Sequence, residues 1–249
     1  MSIAAAFLIE TIVAIVILRW LWGKKNGEKF SRKTVLAIIL LAIPSVFICS
    51  LAEDTLIKSI ISRGLNPLIT GFIVTVFIIG TYEELAKYAV LRWVISRDQN
   101  IVSHLDIVLA SVMTAMGFTL FENYGYLAAM GKSSLIRIFI PLHLLFGIIM
   151  GYYYGKARVT GKRFYHFLAL ALPILVHAIF DFFPLTMKYL PQDKETIDAL
   201  TSLPYETDKM ILVFGAVITY TAAIPILIKA LRKIHKWSRN DELQERIRL

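Results

Sequence analysis

Apolar residues run along this chain in long blocks broken by short polar segments. Seven blocks recur, at roughly 3–22, 34–52, 67–93, 106–130, 136–155, 164–186 and 209–231. Each is close to the length of about 18–20 residues that a helix needs to cross a bilayer core. Only helices and closed barrels satisfy their backbone in lipid. The blocks are longer than barrel strands and lack period-two alternation, so helices are predicted. The pattern gives an all-α, polytopic transmembrane helical bundle of about seven spans, forming one integral-membrane domain over 1–249. No internal repeat, low-complexity tract or phosphate loop interrupts it. The longest polar segment, 187–208, is punctuated by Pro191 and Pro204 and is too short for a separate domain.

Composition sharpens this picture. With 57% hydrophobic and 18% charged residues, the chain is too evenly apolar for a soluble enzyme. The formal charge of +9 would fit a nucleic-acid partner if the basic residues were scattered over a polar surface. They instead flank the apolar blocks. Segments 23–33, 92–105, 156–163 and 229–249 hold 18 Lys and Arg, against 7 in 53–66, 131–137 and 187–209. The positive-inside rule therefore predicts an outer N-terminus, a cytoplasmic C-terminus and a multi-pass protein of the cell membrane. Trp20, Trp22, Trp93 and Trp237 fall at the same predicted ends, where indole favours the headgroup level. Ile3–Trp22 has no basic residue before it and Lys24, Lys25 and Lys29 after it, so it reads as a first span rather than a cleaved leader. The partner implied is the lipid bilayer, not nucleic acid. Cys49, the sole cysteine, allows no intrachain disulfide.

The candidate chemistry lies inside the blocks. An ionisable side chain costs about 2.5–3.5 kcal/mol at a helix centre on insertion scales, yet several recur at one-turn spacing. Glu83 and Glu84 both lie within a turn of Lys87, which can pair with either. Glu122 and Tyr126 are i,i+4, with Asn123 as a further donor. His143 and Gly147 repeat that spacing, as do His177 and Asp181, where a carboxylate can orient an imidazole. Each motif has a bland reading: a buried ion pair, a hydrogen-bonded packing pair, or a Gly147, Gly151, Gly155 stripe for close helix approach. One shared cavity offsets the desolvation of all of them together. Counted from the block ends, Glu122, His143, His177 and Asp181 fall in the outer half and Glu83 near mid-membrane. Glu10 belongs to no motif, and Tyr152–Tyr154 read as an interfacial anchor.

Glu83-Glu84-x-x-Lys87, Phe121-Glu122-x-x-x-Tyr126, His143-x-x-x-Gly147 and His177-x-x-x-Asp181, in that order on successive helices, resemble the PrsW family of intramembrane proteases. That family is related to the CAAX-prenyl endopeptidase and Abi proteins. The resemblance covers roughly 67–186, which it marks as the catalytic core. It implies peptide-bond hydrolysis, with Glu83, Glu84, Lys87, Glu122, Tyr126, His143, His177 and Asp181 as candidate catalytic residues. It further implies a single-pass transmembrane substrate, cut at the extracytoplasmic side as an anti-sigma factor is in its first cleavage. Metal dependence stays open. The zinc motif His-Glu-x-x-His is absent, which tips the reading slightly toward metal-free chemistry. Yet Glu84, Glu122, His143 and His177 have the donor chemistry for a divalent metal such as zinc. The rival readings are a proton-coupled transporter, since intramembrane Glu, Asp and His also form relays, and a non-catalytic membrane scaffold. The transporter reading lacks the inverted repeats and broken helices it would call for.

Overall fold

The structure, a computed structural model, describes residues 3–24, 30–130, 142–189 and 205–248. Among these residues there is no strand, and seven helices follow one another. They are α1 Ile3–Lys24, α2 Arg32–Ile61, α3 Pro67–Arg97, α4 His104–Met130, α5 Leu142–Thr160, α6 Arg163–Tyr189 and α7 Tyr205–Arg248. All but α5 are long and apolar enough to cross a membrane. The protein is thus a polytopic helical bundle. The expected span 136–155 begins in residues outside the described set, as does the expected outer segment 131–137.

Local signals set the helix ends. Ser31 Oγ accepts from the Thr34 amide at 3.0 Å and caps α2. Asn66 Oδ1 accepts from the Leu68 amide at 2.9 Å, and Pro67 follows in the first turn of α3. Both fit the preference for a side-chain acceptor at the N-cap and for proline just inside. The α2–α3 and α5–α6 turns each place a glycine at positive φ, Gly64 at 63° and Gly161 at 69°, which L side chains rarely adopt.

The bundle is inside-out relative to a soluble protein. Leu36, Leu40, Ile43, Phe47 and Ile48 of α2 and Phe214, Val217 and Ile218 of α7 are exposed, while Glu83, Glu84, Lys87, Asn123, His143 and His177 are buried. Apolar side chains facing outward suit lipid, and the polar ones are kept where protein partners satisfy them. The central helix is α4, with 83% of its apolar window buried. It packs most heavily on α5, which in turn packs on α6. Glycines make the α4–α5 seam tight. A Cβ on Gly147 would lie 2.9 Å from Ala115 Cβ, and one on Gly151 would lie 2.7 Å from Val108 Cα. The small-residue reading of Gly147 and Gly151 thus holds.

α3 is not a uniform helix. Its middle, Val74–Gly80, is π-helical, between α-helical Pro67–Ile73 and Thr81–Arg97. Thr75 Oγ1 donates to the Gly71 carbonyl at 2.8 Å and Thr81 Oγ1 to the Val76 carbonyl at 2.7 Å. These bonds occupy carbonyls that the wider turns leave less well matched. Gly80 lets α3 approach α6: a Cβ there would lie 3.1 Å from the Ile174 carbonyl oxygen. The first polar motif starts three residues later.

Candidate active site

Four helices bring the polar motifs together. α3 carries Glu83, Glu84 and Lys87, α4 carries Glu122 and Asn123, α5 carries His143, and α6 carries His177 and Asp181. Glu84 is 0% exposed, Lys87 and His177 2%, Glu83 4% and His143 5%. Burial this complete requires partners for every charge, and the network supplies them.

Lys87 Nζ is the hub. It donates to Glu84 Oε1 at 2.8 Å and to Glu83 Oε2 at 3.1 Å. It also lies 2.7 Å from His143 Nδ1 and 4.3 Å from the centre of the Phe118 ring. An ammonium has no lone pair to offer, so Nδ1 of His143 accepts. The ring hydrogen then sits on Nε2, whose distance to Glu122 Oε2 is 3.0 Å. His177 is held at both nitrogens. Nδ1 is 3.0 Å from Glu84 Oε1 and Nε2 is 3.1 Å from Asp181 Oδ2. Its ring stacks on Phe146 at 4.7 Å. Glu83 Oε2 faces both rings from farther off, 4.0 Å from His143 Nδ1 and 3.9 Å from His177 Nε2. Glu84 is thus pinned between Lys87 and His177, whereas Glu83 is only loosely engaged by the imidazoles.

A cavity of about 20 Å³ lies beside the histidines, lined by Thr119, Asn123, Leu142, His143, Phe146, His177, Asp181 and Tyr220. That is room for one water with polar walls. Of the sequence candidates, Tyr126 is not in this lining; it sits half-buried one turn beyond Glu122. Thr119, Phe118 and Tyr220 carried no sequence signal. Neither did Glu53, assigned by hydropathy to an outer segment. α2 continues through it, and its Oε1 is buried without a hydrogen-bond partner, within electrostatic reach of Glu83, Glu122, His177 and Lys87.

Residues 30–205 match a family model described as PrsW family intramembrane metalloprotease. The chain belongs to the PrsW family. Protease PrsW of Clostridioides difficile (strain 630) is 29% identical over 191 residues, 71% of this chain and 77% of that protein. Protease PrsW of Bacillus subtilis (strain 168) is 27% identical over 174 residues, 68% and 77% of the two chains. Protease PrsW of Oceanobacillus iheyensis is 37% identical over 116 residues, 45% and 54% of the two chains. No solved structure matches this chain. As a PrsW-family member it is an intramembrane protease and a multi-pass membrane protein.

The description of the PrsW family as metalloproteases weighs against the slight lean toward metal-free chemistry, and the donor set fits a divalent ion. Ligand atoms of Glu83, Glu84, His143 and His177 all lie within 4.8 Å of one another. Both imidazoles turn Nε2 toward a carboxylate, Glu122 or Asp181, as carboxylates commonly orient metal-ligating histidines. Glu84 Oε2 is buried and has no hydrogen-bond partner. Glu122, expected among the ligands, backs His143 instead, and Glu83 takes its place in the quartet. Lys87 competes for the same lone pairs, because its ammonium occupies the approach to Glu84 Oε1 and His143 Nδ1.

Proposed function

We propose that this chain hydrolyses one peptide bond of a single-pass membrane protein on the extracytoplasmic side, as in the first cut of an anti-sigma-like regulator. One observation carries the reading: His143, His177 and Asp181 line a water-sized cavity inside a spanning bundle, and the buried Glu83, Glu84 and Lys87 contact those histidines from behind. The single domain spans 1–249, and residues 67–186 form its catalytic core. The N-terminus lies outside and the C-terminus in the cytoplasm, following the bias of basic residues.

The roles follow from how firmly each group is held. Glu83 is the general base that takes a proton from the attacking water, since its oxygen faces both imidazoles without being pinned by them. Glu84 is locked by Lys87 and His177 and positions both. His177, backed by Asp181, passes a proton to the departing amine as the C–N bond breaks. His143 and Asn123, on the cavity wall, donate to the developing oxyanion. Glu84, His143 and His177 could instead hold a divalent ion; His177 would then be a neutral ligand with no proton to give, and Glu83, the base, would return the water's proton to the departing amine. When bound, such an ion supplies Lewis-acid polarisation of an oxygen and favours ionised water near neutral pH.

The test is turnover of a single-pass reporter by purified protein in proteoliposomes. Glu83→Gln lowers turnover by about 100-fold or more, the scale of a lost general base, and leaves the melting temperature unchanged. Cleavage that persists in this variant rules out Glu83 as the base. Failure of the folded wild type to cut any single-pass segment rules out the substrate class.

A further inference from the structure

Glu53 stands at the edge of the active site and has no part in the hydrolysis described so far. Its place follows from the buried face of α2. Thr34, Ile38, Ala42 and Cys49 are buried along that helix, and Glu53 lies one turn beyond Cys49 on the same face. Cys49 Sγ donates to the Tyr82 carbonyl at 3.5 Å, next in sequence to Glu83. Farther along α2, Leu56, Ile57 and Ile60 pack with Val74, Ile78 and Ile79 of α3. Glu53 is thus held in an apolar seam between α2 and α3, about one turn along the seam from Glu83. Its Oε1 is buried with no hydrogen-bond partner, and no ion pair reaches Glu53 among the described residues. A carboxyl group left unpaired in such a seam is costly. Its strongest electrostatic neighbours are other carboxylates, Glu83 and then Glu122, ahead of His177 and Lys87.

We propose that Glu53 is a specificity residue that pairs with a cationic side chain, lysine or arginine, of the substrate close to the scissile bond. The proposal rests on the single-pass substrate argued above. An ionised carboxylate offers acceptors only. A neutral amide would fill the empty acceptor and leave Glu53 facing Glu83 with like charge. An ammonium or guanidinium fills the acceptor and offsets that repulsion. Any proton on the carboxyl passes to water as the cation docks. Glu53 as a whole is half-buried, and Phe77 and Tyr82 of α3 are exposed, so the seam lies next to the lipid-facing surface from which a single-pass chain arrives. A helical turn is about 5.4 Å and an extended chain rises about 3.3 Å per residue. A peptide bond held at Glu83 therefore puts Glu53 beside a substrate residue about two positions away. A long basic side chain there keeps its stem in the apolar seam and brings its head to the carboxylate.

The full chain in proteoliposomes tests this with labelled single-pass reporters that carry either lysine or methionine at successive positions across the outer third of the segment. Cleavage and binding are read separately. Wild type prefers lysine about tenfold at a register about two residues from the cut, the scale of one charge-assisted hydrogen bond. Glu53→Gln brings that ratio to about one, and Glu53→Lys favours a glutamate reporter over the lysine one. The melting temperature of Glu53→Gln equals or exceeds that of wild type, since an unpaired buried charge is gone. A purely structural role would lower it and slow both reporters alike. Asp54→Asn, on the exposed neighbour paired with Lys58, leaves the ratio unchanged. If Glu53→Gln does not fold, Glu53→Asp, which shortens the reach of the charge, must still lower the ratio. A lysine preference that survives these substitutions, or equal handling of lysine and methionine by wild type at every register, overturns the proposal. Lysine-selective binding that needs Glu53, with no reporter cut, upholds the subsite and overturns the single-pass reading of the substrate. Neither binding nor cleavage of any reporter overturns both.

Discussion

Lys87 shows how the site balances charge without water. It contacts both adjacent glutamates and His143, so its loss leaves two buried carboxylates facing each other. Lys87→Met should destabilise the protein by about 3–5 kcal/mol, the usual cost of breaking a buried pair, read as a lowered melting temperature in detergent. Adding Glu84→Gln should recover part of that stability and no activity; full recovery of turnover would contradict the role given to Glu84. Metal analysis tests the donor quartet. Purified wild type should carry a stoichiometric divalent ion that chelators strip, and Glu84→Gln/His177→Gln should lose it. The pairs legible in the sequence are those within one helix, Glu83–Lys87, Glu84–Lys87 and His177–Asp181, all of which are made. Pairs across helices were not. The contact of Glu122 with His143 on the next helix had no spacing to announce it, because helix rotation is set by packing that hydropathy does not encode.

Helices place these residues, and two of their features escaped the apolar pattern. Glu53 and Asp54 break the hydropathy of α2, which predicted its end there. The helix runs on to Ile61 because Glu53 turns inward while Asp54 and Lys58 pair on the surface at 2.5 Å. The π-helical stretch before Thr81 leaves no compositional trace, yet it precedes the turn where adjacent Glu83 and Glu84 are both buried. The α4–α5 seam, by contrast, was legible in Gly147 and Gly151. In the His143-x-x-x-Gly147 motif the histidine joins the polar cluster and the glycine packs the seam. Gly151→Leu should push α5 off Val108 and Ser111 and cost about 1–3 kcal/mol by overpacking. Its activity should fall as well, through displaced His143, in an assay of reporter cleavage at a temperature where the variant is folded. Unchanged melting would contradict a close-packed seam.

The molecule as a whole exposes apolar side chains along α2 and α7 and buries a cluster of ionisable ones, and that arrangement was readable from block lengths and from charges inside blocks. Its sidedness rests on the distribution of basic residues. Labelling of single cysteines in a Cys49→Ser background should find position 242 reactive only from the cytoplasmic face and position 64 only from outside. The reverse pattern would place the cut on the other side of the membrane. The most direct measurement compares the membrane N-terminome of cells producing wild type with that of cells producing Glu83→Gln/Glu84→Gln at equal protein level. New N-termini near the outer ends of single-pass helices, present only with wild type, are the predicted result. Identical N-termini in the two, with both proteins folded and a cleavable single-pass reporter present, would contradict peptide-bond hydrolysis by this buried cluster.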